Sequence, residues 1–149
     1  MKIPVMSALF ANNESPDILF WVGCAGSFDQ RAQKITKAFV SILNKVQIKY
    51  AILGKEEACT GDPARRAGNE FLFQMMAYQN IQVLNNYGIK KIVTACPHCF
   101  NIIKNEYPEL GGTYEVIHHA VFLQQLIDAG KIKMKETGDF KGKRITYHD

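Results

Sequence analysis

The chain has 149 residues, 47% of them apolar and 21% charged, and its 18 Lys and Arg against 14 Asp and Glu leave a net charge of +4. That length suits one domain of ordinary size with a real hydrophobic core, and the apolar content excludes a disordered tail. The mild charge calls for no nucleic acid, and no apolar run approaches the ~20 residues of a membrane helix. Met1-Lys2-Ile3-Pro4 does not open a signal-peptide core, so a cytoplasmic location is the expectation.

Along the chain, strands alternate with helices. Ile18 to Val22 is a wholly apolar, β-rich run, the pattern of a strand buried on both faces. Gly23-Cys24-Ala25-Gly26-Ser27 breaks it, with Ser27 as N-cap of an amphipathic helix over 28–46 that turns Phe28, Ile35, Phe39 and Leu43 inward. Residues 48–53 form a second strand. Asp62-Pro63 opens a short helix with Asp62 as cap, and Asn69 caps a longer one running to Asn86, stopped by Gly88. A third strand spans 89–95, a helix 97–106, a fourth strand 114–117, and a helix starts at His118 or His119. The lysine-rich 131–143 stretch reads as a solvated connection, and Lys143 to Tyr147 as a fifth strand. This alternation predicts an α/β three-layer sandwich, with a mostly parallel sheet of about five strands of Rossmann-like or flavodoxin-like type.

Four cysteines carry the chemical signal: Cys24, Cys59, Cys96 and Cys99. In a reducing compartment, thiols are buried core, a metal site or a redox pair rather than structural disulfides. Each of these follows a predicted strand, and the carboxyl edge of a parallel sheet is where sites form. Gly23, Gly26 and Gly61 flank the cysteines, where glycine lets the backbone turn N–H groups toward a thiolate. An iron–sulfur cluster and a zinc ion both fit such a set. A thiol–disulfide exchanger built on Cys96-Pro97-His98-Cys99 would leave Cys24 and Cys59 unexplained, and only 50 residues follow Cys99. No Ser/His/Asp set, acid pair or nucleotide loop accompanies the cysteines, so no catalytic residue is assigned.

The pattern resembles the cysteine-rich, or CCG, domain found in heterodisulfide reductases and in the iron–sulfur subunits of glycolate oxidases. That family has a Cys after the first strand, a Cys-Cys-Gly further on and then a C-x-x-C. Here Cys24, Cys59-Thr60-Gly61 and Cys96-Pro97-His98-Cys99 stand at those places, with 34 residues between Cys24 and Cys59 and 35 between Thr60 and Cys96. Thr60 replaces the second cysteine of the pair. The segments Cys59 to Arg66, Gly68 to Phe71 and Cys96 to Asn101 are similar to bacterial iron–sulfur oxidoreductases linked to electron-transfer flavoprotein and menaquinone.

The resemblance implies an iron–sulfur electron-transfer module in which Cys24, Cys59, Cys96 and Cys99 ligate a [4Fe–4S] cluster, zinc being the alternative in a structural or interaction domain. Gly23, Gly26, Thr60, Gly61, Arg65 and His98 would then shape or tune the site. The implied partners are a flavoprotein or other redox subunit, with a quinone or disulfide as acceptor and a membrane quinone-linked complex as a possible host. Relatives carry two such repeats, so residues 1–149 are expected to be one cysteine-rich domain from the first half of a longer protein, with a homodimer, or poor cluster retention, expected of the isolated chain. His118 and His119 have a duller role open to them as first-turn helix residues, and Arg66 as part of a solvated face.

Overall fold

The computed structural model describes residues 3–133, 142–144 and 146. Four strands, β1 (Ile18–Trp21), β2 (Tyr50–Ala51), β3 (Lys91–Thr94) and β4 (Glu115–His118), pair in the order β2-β1-β3-β4, and every pairing is parallel. The expected α/β architecture is therefore present, with four strands in the described sheet rather than about five. Much of the strand expected from Lys143 to Tyr147 lies outside the described residues, as do His148 and Asp149.

Successive side chains of a strand point to opposite faces, and the two cores follow that rule. Ile18, Phe20, Tyr50, Val93 and Ile117 form one, and Leu19, Trp21, Ala51, Ile92 and Val116 the other. Helices α1 (Met6–Ala11), α2 (Gly23–Phe28), α3 (Gln30–Lys45), α4 (Asp62–Arg66), α5 (Glu70–Asn86), α6 (Pro97–Asn101) and α7 (His119–Asp128) are distributed around the sheet. On the first face lie Phe39, Val40 and Leu43 of α3 with Phe122 and Leu126 of α7. Phe73, Ala77, Ile81 and Leu84 of α5, Cys99 of α6 and Met6 of α1 lie on the second. Right-handed crossovers require this division. The chain moves from β1 to β2 in one direction across the sheet, then from β2 past β1 to β3 in the other, so α3 and α5 fall on opposite faces.

Local structure departs from the sequence reading at several points. The connection after β1 is itself helical, forming α2, and Asp29 then sits in extended backbone with its side chain accepting the Ala32 N–H at 2.7 Å. Asp29, not Ser27, therefore caps α3, while the Ser27 hydroxyl donates to the Gly23 carbonyl at 2.9 Å. Breaking the predicted helix there shifts its phase, and Phe28 is left 85% exposed and Ile35 49%. Gly61, in left-handed backbone at φ 92°, precedes α4 where Asp62 was the expected cap. Asn69 does cap α5, accepting from the Leu72 N–H at 3.0 Å. The helix expected over 97–106 is two pieces, α6 and a π-helical turn over Ile102–Glu106, and a tight turn over Tyr107–Leu110 follows it. The short helix α1 was not anticipated. Val5, just before it, bridges Ile52 at the edge of β2.

Leu43 is fully buried between α3 and the sheet. Leu43→Ala removes that packing and should lower unfolding free energy by about 2–5 kcal/mol in urea titration, the range for a leucine deleted from a core.

Candidate metal centre

The carboxyl ends of β1 and β3 are neighbours, Trp21 pairing with Thr94. The chain leaves these two strands to opposite faces, which opens a crevice between them. Cys24 enters it on the first turn of α2, and Cys96 and Cys99 enter it from the start of α6. Cys59 arrives from the loop after β2. All four line a single cavity of about 380 Å³, together with Trp21, Gly23, Ala25, Ala58, Thr60, Asp62, Pro63, Arg66 and His98. All four are free thiols; Cys24 is exposed, Cys59 and Cys96 half-buried and Cys99 buried. A larger neighbouring cavity of about 490 Å³ meets this one across Cys24 and Cys59 and reaches neither Cys96 nor Cys99.

Backbone contacts hold the loops in place. Glu57 is the first of them: its carboxylate accepts the N–H groups of Val22 and Gly23 at 3.0 and 2.6 Å, tying the β2 loop to the end of β1. Burial raises its pKa to about 7, against the opposing pull of those two N–H donors. The Asn80 side-chain amide donates to the Cys59 carbonyl at 2.9 Å and to the Tyr107 hydroxyl at 3.0 Å, and Tyr107 donates onward to the Thr60 carbonyl at 3.1 Å. The sulfur-bearing loop is thus fastened through its carbonyls. Gly23 lies in left-handed backbone at φ 78°, and a Cβ there would meet the Cys99 sulfur at 3.4 Å. At Gly61 a Cβ would come within 2.8 Å of the Phe73 ring. Gly61 permits a close approach that a side chain would prevent, while Gly23 is required by its left-handed backbone.

Two of the thiols accept backbone N–H groups. Cys96 accepts from the Cys99 N–H at 3.5 Å, and Cys59 from the Gly61 N–H at the same distance. The Cys99 thiol, the Cys99 and His98 N–H groups and the His98 charge lower the Cys96 pKa to about 5, although burial opposes them. As donor in that pair and a buried group, Cys99 moves upward. Cys96 is the thiolate that Cys99 supports.

Of the residues expected around the site, Gly23, Thr60, Gly61 and His98 stand in or against the crevice. His98 is exposed and faces Asp62 at 3.2 Å. Gly26 is elsewhere, with Thr36 of α3 and Val22 as its close neighbours. Arg65 does not line the cavity either. It lies over the Phe73 ring and pairs with Glu106 at 2.8 Å, while Arg66 reaches the cavity and bonds Asp62 and Glu106. His118 and His119 meet edge to face with ring centroids 4.4 Å apart, beside Phe100 and Phe39, and neither lines the cavity.

Sequence reasoning passed over Glu57, Asn80 and Tyr107. Asn80 did carry a signal, being an amide on the stripe of Phe73, Ala77, Ile81 and Leu84 that an amphipathic helix buries. Nothing local marked Glu57, whose partners lie 34 and 35 residues away.

The donor set suits a metal–sulfur group: cysteine sulfurs on several sides of one chamber, N–H donors to two of them, and a fully buried Trp21 whose indole nitrogen has no partner. Among the described residues, no three His, Cys, Asp or Glu side chains come together closely enough to hold one metal ion.

Two measurements test this geometry on the metal-free chain. Iodoacetamide labelling of Cys96 should rise through pH 5 and level off by pH 7, because the thiolate is the nucleophile; a half-point near pH 9 would contradict the assigned pairing. Glu57→Ala strands two backbone N–H groups and should lower stability by about 1–3 kcal/mol. The unsubstituted chain should itself lose stability as pH rises from 4.5 through 7, since a carboxyl raised in the folded state stabilises it only while protonated. That slope should disappear in the variant.

Residues 18–104 match the profile of the CCG cysteine-rich domain, covering all four cysteines. The EtfAB:quinone oxidoreductase of Syntrophomonas wolfei is 46% identical over 133 residues, 89% of this chain and 18% of that protein. The probable iron-sulfur-binding oxidoreductase FadF of Bacillus subtilis is 42% identical over 148 residues, 99% of this chain and 21% of that protein. A component of the dihydromethanophenazine:CoB–CoM heterodisulfide reductase of Methanosarcina barkeri is 37% identical over 142 residues, 91% of this chain and 34% of that protein. This chain therefore spans about a fifth to a third of the length of these relatives. No solved structure gives a significant match. With the profile covering more than half its length, the chain belongs to the CCG cysteine-rich domain family.

Proposed function

We propose that this domain is the electron-transfer module of an iron–sulfur oxidoreductase, its Cys24, Cys59, Cys96 and Cys99 thiolates holding one [4Fe–4S] cluster. The observation that carries this is the convergence of four cysteines from three separate loops on one cavity at the sheet's switch point. Cys99 also packs in the second core, yet it shares this cavity with the other three cysteines. The names of the relatives, an iron–sulfur-binding oxidoreductase among them, support the same reading.

A cluster there would store and release single electrons. The chain's part is to bind, orient and tune it. Gly23 and Gly61 let backbone come close to the sulfurs, and Glu57 and Asn80 hold the loops. Arg66 places positive charge at the rim beside Asp62, and His98 faces the same carboxylate. The electrons would pass between a flavoprotein and a quinone or disulfide acceptor, the chemistry named in the two redox relatives. We place the domain in the cytoplasm, where it would join a membrane quinone-linked complex through a partner protein. Among the described residues no helix is long and apolar enough to cross a membrane.

Anaerobic incubation with ferrous iron and sulfide should give a brown chain holding about four irons, the stoichiometry of such a cluster. Cys59→Ser and Cys96→Ser should each lose most of that iron. A colourless chain with one zinc ion per molecule would overturn the assignment, and so would a full cluster retained by Cys59→Ser.

A further inference from the structure

We propose that the indole N–H of Trp21 donates a hydrogen bond to a sulfur of the centre held by the four cysteines and raises its reduction potential, a role that rests on the cluster reading above. Trp21 is the last residue of β1, is completely buried and lines the chamber. Its register partner is Thr94, so it stands between the strand ends that lead to Cys24 and to Cys96. It is also the only tryptophan in the chain.

Its indole nitrogen is buried and has no hydrogen-bond partner. An indole N–H can only donate. A donor left unpaired in the interior has lost its water and gained nothing in return, and buried tryptophans accordingly find acceptors. Several polar groups around the chamber are engaged, while the buried Asn80 Oδ1, on the residue that holds the Cys59 loop, has no partner. Glu57 takes the N–H groups of Val22 and Gly23, Asp62 faces Arg66 and His98, and the Thr60 carbonyl takes the Tyr107 hydroxyl. Sulfur is what four cysteines bring to this cavity, and a thiolate or sulfide in a cluster accepts N–H donors. A hydrogen bond to such a sulfur favours the more negative, reduced state, because the donor's positive end offsets added charge. Trp21 acts through the sulfur it touches, as a tuning residue rather than a ligand.

Two substitutions remove the N–H at this one position. Trp21→Phe keeps an aromatic ring, and replacement by the isosteric benzothienylalanine keeps the whole bicyclic shape. Loaded anaerobically with iron and sulfide, both should hold as much iron as the unsubstituted chain, with a midpoint potential shifted to more negative values. The deuterium-sensitive part of the Fe–S stretching bands should shrink in resonance Raman spectra. A potential and isotope effect equal to those of the unsubstituted chain would overturn the proposal.

The unsubstituted chain gives an independent reading, because its single indole N–H resonance is unambiguous. With nitrogen-15 in the indole, that resonance should move on cluster loading and exchange slowly with solvent. A resonance unmoved from its metal-free position would overturn the proposal even if neither variant loaded iron. Failure of the unsubstituted chain to take up iron and sulfide would instead overturn the cluster reading and this inference with it. Trp21-independent behaviour of a loaded chain removes this inference alone.

Discussion

Parallel strands in one sheet can be joined only by crossovers, and those crossovers turn right-handed. Here β2 lies on one side of β1 and β3 on the other. The chain must therefore leave β1 toward one face and leave β3 toward the opposite face. The two exits diverge, and the gap between them is the chamber. Everything about the site follows from that reversal. Cys24 comes from one exit, Cys96 and Cys99 from the other, and the loop after β2 closes over them with Cys59.

Divergent loops would drift apart without ties, and the ties use groups other than the thiols. Glu57 spans from the β2 loop to the backbone of Val22 and Gly23. Asn80 and Tyr107 hold the carbonyls of Cys59 and Thr60 from the helical layer beneath. An ionised carboxylate among these buried surroundings is disfavoured, which is why Glu57 titrates near neutral pH. The geometry of the sulfurs is consequently imposed by the frame before any group binds between them. Such preorganisation lowers the ordering cost of binding.

Charge is arranged in the same economy. Glu106, carried on the π-helical turn after α6, pairs with both Arg65 and Arg66. That links α4, which follows Cys59, to the helix that follows Cys99. The position filled by cysteine in the family's pattern is Thr60 here, buried at 2% exposure with its carbonyl taken by Tyr107. It belongs to the frame, and four sulfurs remain to the chamber.

Much of this was legible in the amino-acid order. The β-rich runs Ile18–Trp21 and Lys91–Thr94, the Asn69 cap and the spacing of the four cysteines are local patterns, and local patterns fix strand, helix and family. Register within β1 was readable too, since alternation assigns Phe20 and Trp21 to opposite cores. The break at Asp29 was not legible, because the apolar spacing runs through it and only the coiling of Gly23–Phe28 shows which residue caps α3. Nor was the choice between Arg65 and Arg66, adjacent residues separated by the phase of one short helix. Strand order, the partnership of Glu57 with β1, the Asn80–Tyr107 clasp and the unpaired indole of Trp21 were decided by tertiary structure alone. Each depends on groups brought together from distant parts of the chain, and a linear sequence records the spacing of neighbours, not the crossing that makes strangers adjacent.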